Sequence, residues 1–163
     1  LNKYVSFDLS PEALVERLGM LGVEVEKIER LGAQFDGFFI GKVIQVERHP
    51  NADRLTVCSV RYGKKLASVV CGAPNVKAGQ KVVLGLPGAV VPRNQHDPTG
   101  KAFELRRTSI RGVDSEGMIC SEYELGLGAD SAGILVLQGS GIRDGVSFAE
   151  YLGLTDIAYD IEV

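Results

Sequence analysis

His49, Asn51, Asp53 and Arg54 lie together in the run HPNADR. A histidine close to a carboxylate is the pairing that general acid–base chemistry uses. Nucleophilic catalysis would also need a serine or cysteine held in a sharp elbow beside that histidine. No such elbow is recognisable. Cys58 falls in a strand-like run where it alternates with core positions. The cluster therefore reads first as a polar turn, with Asn51 and Asp53 bonding local backbone. A second group is Arg106, Arg107 and Arg111. On one continuous strand, Phe103, Leu105, Arg107, Ser109 and Arg111 would share a face. Arg107 and Arg111 would then stand about 13 Å apart, at about 3.3 Å per residue. Guanidiniums at that reach suit separate phosphates of a nucleic-acid backbone. A solvated face whose charges discourage edge pairing is the plainer account. The third group is Ser115 and Ser121, which flank Met118–Cys120 on a turn bracketed by Gly112 and Gly117. Their hydroxyls can serve a ligand on a loop or bond local backbone, as turn serines usually do.

Other chemistries find little support. Cys58, Cys71 and Cys120 are far apart, no CxxC occurs, and neither histidine stands at ligand spacing to a cysteine. Three reduced cysteines serving as small core residues are expected. Gly126-Leu-Gly128 lacks the third glycine and the preceding strand of a dinucleotide loop, and Gly79-Gln-Lys81 has no phosphate loop around it.

The elements that must position these groups are mostly strands. Phe38–Val46, Thr56–Tyr62, Leu66–Cys71, Lys81–Leu86 and Phe103–Arg111 read as five strands, and Ile134–Leu137 as a short closing run. Gly41 is expected to allow a bend or bulge in the first. A mobile loop is expected between Gly88 and Phe103. Five strands with one long connection fit a small, partly open barrel. The ends differ. Ser10-Pro11-Glu12 opens a helix with Leu14, Leu18 and Leu21 on one face and Gly22 at its end. Val23 and Val25 then alternate with Glu24 and Glu26. Ser147 to Glu150 spells a capping box for a short helix, and Ile157, Tyr159, Ile161 and Val163 alternate with polar or small residues. The two ends are expected to pair into a small α+β domain, incomplete at Val163. The division expected is 1–32 and 149–163 for that domain, with 33–148 inserted between them.

Composition limits the partners. The chain has 163 residues, 45% apolar, with 20 glycines and 6 prolines, which suits a globular fold rich in turns. The net charge of −3 argues against a strong general nucleic-acid binder, and no DNA partner is expected. The charge is uneven, however. Arg93 to Arg111 holds five basic residues against two acidic ones, while five acids and no base follow Arg143. Such a local patch can hold phosphate with modest strength. Tryptophan is absent and aromatics are 7%, so recognition by shape and backbone charge is expected ahead of base stacking. No apolar run approaches the roughly 18 residues of a membrane span, and no signal peptide is legible, so a cytoplasmic location is expected. Because Leu1 is not methionine, the sequence reads as a fragment.

A resemblance sharpens this reading. HPNADRLTVCSV at His49–Val60, VVCGAPNVKAGQKVV at Val69–Val83 and RGVDSEGMICSEYELGL at Arg111–Leu127 resemble, in order, motifs of the tRNA-binding OB-fold family. LSPEALVERLGMLGVEVEKIE at Leu9–Glu29 resembles the N-terminus of bacterial phenylalanyl-tRNA synthetase beta subunits, which insert such a domain in a small N-terminal domain. The resemblance implies a mainly β chain: a five-stranded OB-fold barrel inserted in the α+β domain. It implies tRNA as partner, with Asn51, Arg54, Arg107, Arg111, Ser115, Met118 and Ser121 as candidate contacts. Arg54 stands where the family commonly has lysine. It also implies an alpha subunit and the rest of a beta subunit in an alpha2 beta2 assembly that uses ATP and magnesium, with no catalytic residue, cofactor or metal site in this stretch. Two other roles remain open: a structural module of the synthetase that barely touches tRNA, and a free-standing tRNA-binding or chaperone-like homodimer.

Overall fold

The computed structural model describes residues 10–22, 24–30, 32–154 and 157–162, with the backbone alone for 24–30 and 157–162. In chain order the elements are helix α1 (Pro11–Met20), strand β1 (Glu24–Arg30), a 3-10 turn (Ala33–Phe35), β2 (Phe38–Arg48), β3 (Thr56–Tyr62), β4 (Lys65–Cys71) and β5 (Lys81–Gly85). Then come β6 (Val90–Val91), β7 (Phe103–Glu104), β8 (Thr108–Ile110), β9 (Val113–Ser115), β10 (Met118–Ile119), β11 (Val136–Leu137), α2 (Phe148–Tyr151) and β12 (Ile157–Glu162). They fall into two compact units, one made of the chain ends and one spanning 33–153.

In the unit of the ends, Ser10 caps α1. Its hydroxyl accepts the Ala13 N–H at 3.2 Å, Pro11 occupies the first turn, and Gly22 at φ +78° terminates the helix. The helix stops at Met20, and Leu21 is 79% exposed, so Leu21 does not extend the apolar face of Leu14 and Leu18. β1 pairs antiparallel with β12, with an irregularity between Val25 and Lys27. The expected alternation of Val23 and Val25, and of Ile157 to Val163, concerns residues or side chains outside those described.

The larger unit is a curled sheet in the order β10-β5-β2-β3-β4, with β11 also on β5. The long β2 serves two neighbours, β5 along Phe38–Lys42 and β3 along Lys42–Arg48. A register shift between Val43 and Gln45 lets it coil from one to the other. The bulge thus lies at Ile44. Gly41 has a different task, since a Cβ there would come within 2.5 Å of Val60 Cγ1. Inside lie Val43, Cys58, Val60, Val69, Val82, Leu84, Ile119 and Ile134. Alternation puts Cys58 and Val60 inward from β3, as the sequence leads one to expect, because a strand buried on one face repeats with period two.

The barrel closes through side chains. The Glu116 N–H donates to Ser68 O at 2.8 Å, the Ser68 N–H donates to Glu116 Oε2 at 3.0 Å, and the Val70 N–H donates to Ser115 Oγ at 3.0 Å. The free edge of β4 is thereby satisfied by the DSE segment in place of a full strand. Two expectations are corrected here. Phe103–Arg111 is not one strand. Leu105 is buried and exchanges backbone hydrogen bonds with Gly88 and Ala89, which separates β7 from β8. Also, Asp114 and Ser115 belong to β9, and the reversal lies at Arg111-Gly112. Positive φ at both (50° and 88°) makes it a type I′ hairpin turn between β8 and β9.

The stretch expected to be a mobile loop holds β6, which pairs with β7 and buries Val91. Its tip is tied by Asn94 Oδ1 accepting the His96 N–H at 2.9 Å. Ser147 Oγ accepts the Glu150 N–H at 3.2 Å to cap α2. Phe148 meets Phe35 edge-on at 5.0 Å, so α2 packs in the barrel unit, and that unit runs to 153 where the sequence suggests a boundary at 148.

Candidate nucleic-acid interface

The HPNAD turn is a clamp. His49 is buried, its Nδ1 accepts the Asn51 N–H at 3.0 Å, and its Nε2 lies 2.9 Å from Ile110 O. Only the neutral ring with its proton on Nε2 satisfies both partners. Asn51 Nδ2 donates to Arg111 O at 2.9 Å. The turn that carries Arg54 is therefore bonded to the hairpin turn that carries Arg111. Sequence alone separates these residues by 60 positions, and the fold brings Asn51 and Arg111 together. Both ring nitrogens of His49 are engaged by backbone groups, which fixes the turn.

The other candidates divide. Arg107 donates to Asp114 Oδ2 at 3.1 Å and lies 3.8 Å from Glu116 Oε1, an exposed pair worth little to stability. Among the described residues, Arg54, Arg106 and Arg111 form no ion pair and are exposed. Ser115 and Ser121 are buried. The first closes the barrel. The second donates to Glu124 Oε2 at 3.0 Å and accepts the Glu124 N–H at 3.2 Å. Ser121 thus bonds within its own turn, the plainer of the two readings, whereas Ser115 reaches Val70 across the seam as well as Gly117 O. Met118 is half-buried on β10, facing a cleft of about 600 Å³.

That cleft runs between the Val70–Pro74 end of β4, the Phe103–Arg106 segment and residues 131–134. Sequence reasoning missed Arg106, which lines it. The assumption of a continuous strand turned Arg106 to the opposite face from Arg107. It also missed Glu124, although Ser121-Glu-Tyr-Glu124 has the spacing of a capping box. At the barrel's other end, Asp144 accepts from Arg61 Nε at 2.9 Å and lies 3.3 Å from Lys81 Nζ. The hydrogen bond from Arg61, with Lys81 adding to it, holds the Asp144 carboxyl down at about 2. Cys58, Cys71 and Cys120 are free and buried. Burial, with Glu124 nearby, pushes the Cys120 thiol well up, which suits an inert core residue, whereas the hydrogen bond with Cys71 draws the Cys58 thiol down to about 7. Among the described residues, no three His, Cys, Asp or Glu side chains converge to hold a metal ion, and no helix is long and apolar enough to cross a membrane.

Residues 38–143, the stretch that holds the barrel, the clamp and the cleft, match the family described as "Putative tRNA binding domain". The fold is that of an OB-like nucleic-acid-binding barrel, and the chain belongs to this tRNA-binding domain family. Over nearly its whole length it is similar to phenylalanine–tRNA ligase beta subunits. It is 41% identical to that of Syntrophotalea carbinolica over 99% of this chain and 19% of the relative. It is 46% identical to that of Salinibacter ruber over 100% of this chain and 20% of the relative. The chain thus spans about a fifth of the length of the curated relatives it matches. The crystal structure of a MetRS related protein from Pyrococcus horikoshii superposes with a TM-score of 0.47 at 15% identity, covering 68% of this chain and 86% of that one.

Proposed function

We propose that this chain is the tRNA-binding module of a phenylalanine–tRNA ligase beta subunit. It holds or guides tRNA while the whole enzyme joins phenylalanine to it. The observation that carries the reading is the coincidence of the family match with the barrel, whose clamped turns bear Arg54 and Arg111. Both guanidiniums are free to meet phosphate, and the hydrogen bonds of His49 and Asn51 pre-organise the loops that present them. ATP and magnesium serve the whole ligase, in the cytoplasm, with the alpha subunit and the remainder of the beta subunit as partners in an alpha2 beta2 assembly. No step of that chemistry is assigned to a residue of this chain.

Fluorescence anisotropy with tRNA at two salt concentrations tests this. Arg54→Ala/Arg111→Ala should weaken binding and make log Kd less steep in log salt by about 1 to 2, the change expected for one or two lost phosphate contacts. Arg107→Ala should do less, because Asp114 and Glu116 already neutralise that guanidinium. Absence of tRNA binding at low salt would leave the structural-module reading, which the acidic stretch after Arg143 favours.

A further inference from the structure

Glu124 is 5% exposed, yet it lines the cleft. Its Oε2 takes both donors of Ser121, the N–H at 2.8 Å and the hydroxyl at 3.0 Å. Its Oε1 takes none. Every buried side-chain nitrogen or oxygen among the described residues has a partner, so Oε1 is not fully enclosed, and Glu124 is among the residues that line the cleft. The capping bonds therefore fix one carboxylate oxygen and leave the other without a hydrogen bond, on a residue that lines the cleft.

The surroundings narrow what can sit on that acceptor. Val70, Phe103, Ile110, Met118 and Ile134 give apolar walls, and about 600 Å³ is the size of a small-molecule site. A fixed carboxylate repels phosphate, so the nucleic-acid backbone is excluded from the base of the cleft. A flat, largely apolar group with an N–H donor is favoured instead. Arg106, exposed and lining the same cleft, supplies a cation for the phosphate beside that group.

We propose that the cleft takes one unstacked nucleobase bearing an exocyclic amino group, which donates to Glu124 Oε1. Adenine, cytosine and guanine carry such an amine. Uracil does not, and the carbonyl oxygens flanking its only ring N–H face the carboxylate unfavourably. Carboxylate acceptance from a base amine is an established readout chemistry, and unpaired bases of folded RNA are the groups free to enter. The choice of RNA rests on the tRNA-binding reading above. The site itself rests on the cleft and the open oxygen.

The test is anisotropy with labelled tetra-adenylate, tetracytidylate and tetrauridylate on the full chain, with the Glu124 and Ile134 amides followed by NMR. The first two should bind about fivefold tighter than tetrauridylate, the scale of a single good base hydrogen bond, and should shift both amides. Glu124→Gln keeps an acceptor for Ser121, and glutamine serves a capping box as glutamate does, so the variant should melt close to the parent. An amide that turns its NH2 to the cleft should bring the three oligonucleotides within about twofold of one another. Equal binding by tetrauridylate, a preference that survives in Glu124→Gln, or no oligonucleotide binding at millimolar concentration would each overturn the proposal. So would amide shifts produced by butylammonium and by no oligonucleotide, which would mark the cleft as a site for a protein cation. Intact tRNA binding with no amino-base preference sinks this inference alone. An amino-base preference without tRNA binding sinks the tRNA-module reading alone.

Discussion

Asn51 acts through backbone that lies far away in sequence. Its amide holds Arg111 O at 2.9 Å, and Arg111 sits at φ 50°, a conformation that only a supported non-glycine residue keeps. Asn51→Ala should lower stability by about 1 kcal/mol, the usual net value of such a bond, and should loosen the turn that presents Arg111. Urea denaturation with tRNA affinity measured alongside would show both. Asp144 gives a prediction in pH. Its folded pKa lies near 2, below the ordinary 3.8, so its contribution is fully present above about pH 4 and is lost as pH falls from there through 2. Its partner Arg61 is exposed, which moderates the gain. Asp144→Asn should cost about 1 kcal/mol at neutral pH, and should flatten the fall of stability between pH 4 and pH 2. Equal acid sensitivity in parent and variant would remove Asp144 from this role.

Closure is decided at the scale of elements. β4 has no full partner strand on its outer edge among the described residues, and Ser115 Oγ and Glu116 stand in for one. Ser115→Ala leaves the half-buried Val70 N–H without its acceptor and should destabilise the fold by about 1 kcal/mol. Amide exchange at Val70 should accelerate well beyond that at Val82 in the interior, and unchanged exchange at Val70 would show that the seam closes by other means. Gly117 belongs to the same seam. A Cβ there would meet Gly85 O at 2.4 Å, and backbone cannot step aside as a side-chain tip can.

Taken whole, the molecule is two units of unequal size, and among the described residues the buried hydrophobic cluster belongs to the barrel unit. The stretch 33–153 should fold alone with a single cooperative transition in calorimetry. It should also keep its tRNA affinity, because Arg54, Arg106 and Arg111 all lie within it. A non-cooperative transition would mean that the paired ends complete the core. The net charge of −3 sets the scale of binding. If the proposed tRNA contacts hold, a few arginines on an acidic body should give a modest affinity that fades with salt.

The strands Thr56–Tyr62 and Lys65–Cys71 were legible in the sequence because alternation in Val, Ala and Cys reports burial on one face, and Lys81–Gly85 was legible as a short continuous apolar run. The caps at Ser10 and Ser147, and the pairing of the two ends, were legible for the same local reasons. Legibility stopped at Leu105. An apolar residue at a strand period cannot say that it docks on the backbone of Gly88 and Ala89, and with the break there went the common face proposed for Arg107 and Arg111. Ser115, Ser121 and Glu124 show the same limit. A hydroxyl or carboxylate in a turn carries no local sign of whether its partner is a ligand, Val70 across a barrel seam, or a serine three residues back. The sequence by itself determined the family, the barrel strands and the local excess of positive charge. Tertiary structure alone decided which arginines stay free and which polar groups close the barrel. The clamp and the barrel seam depend on hydrogen bonds between residues about 45 to 60 positions apart, and no local periodicity encodes them.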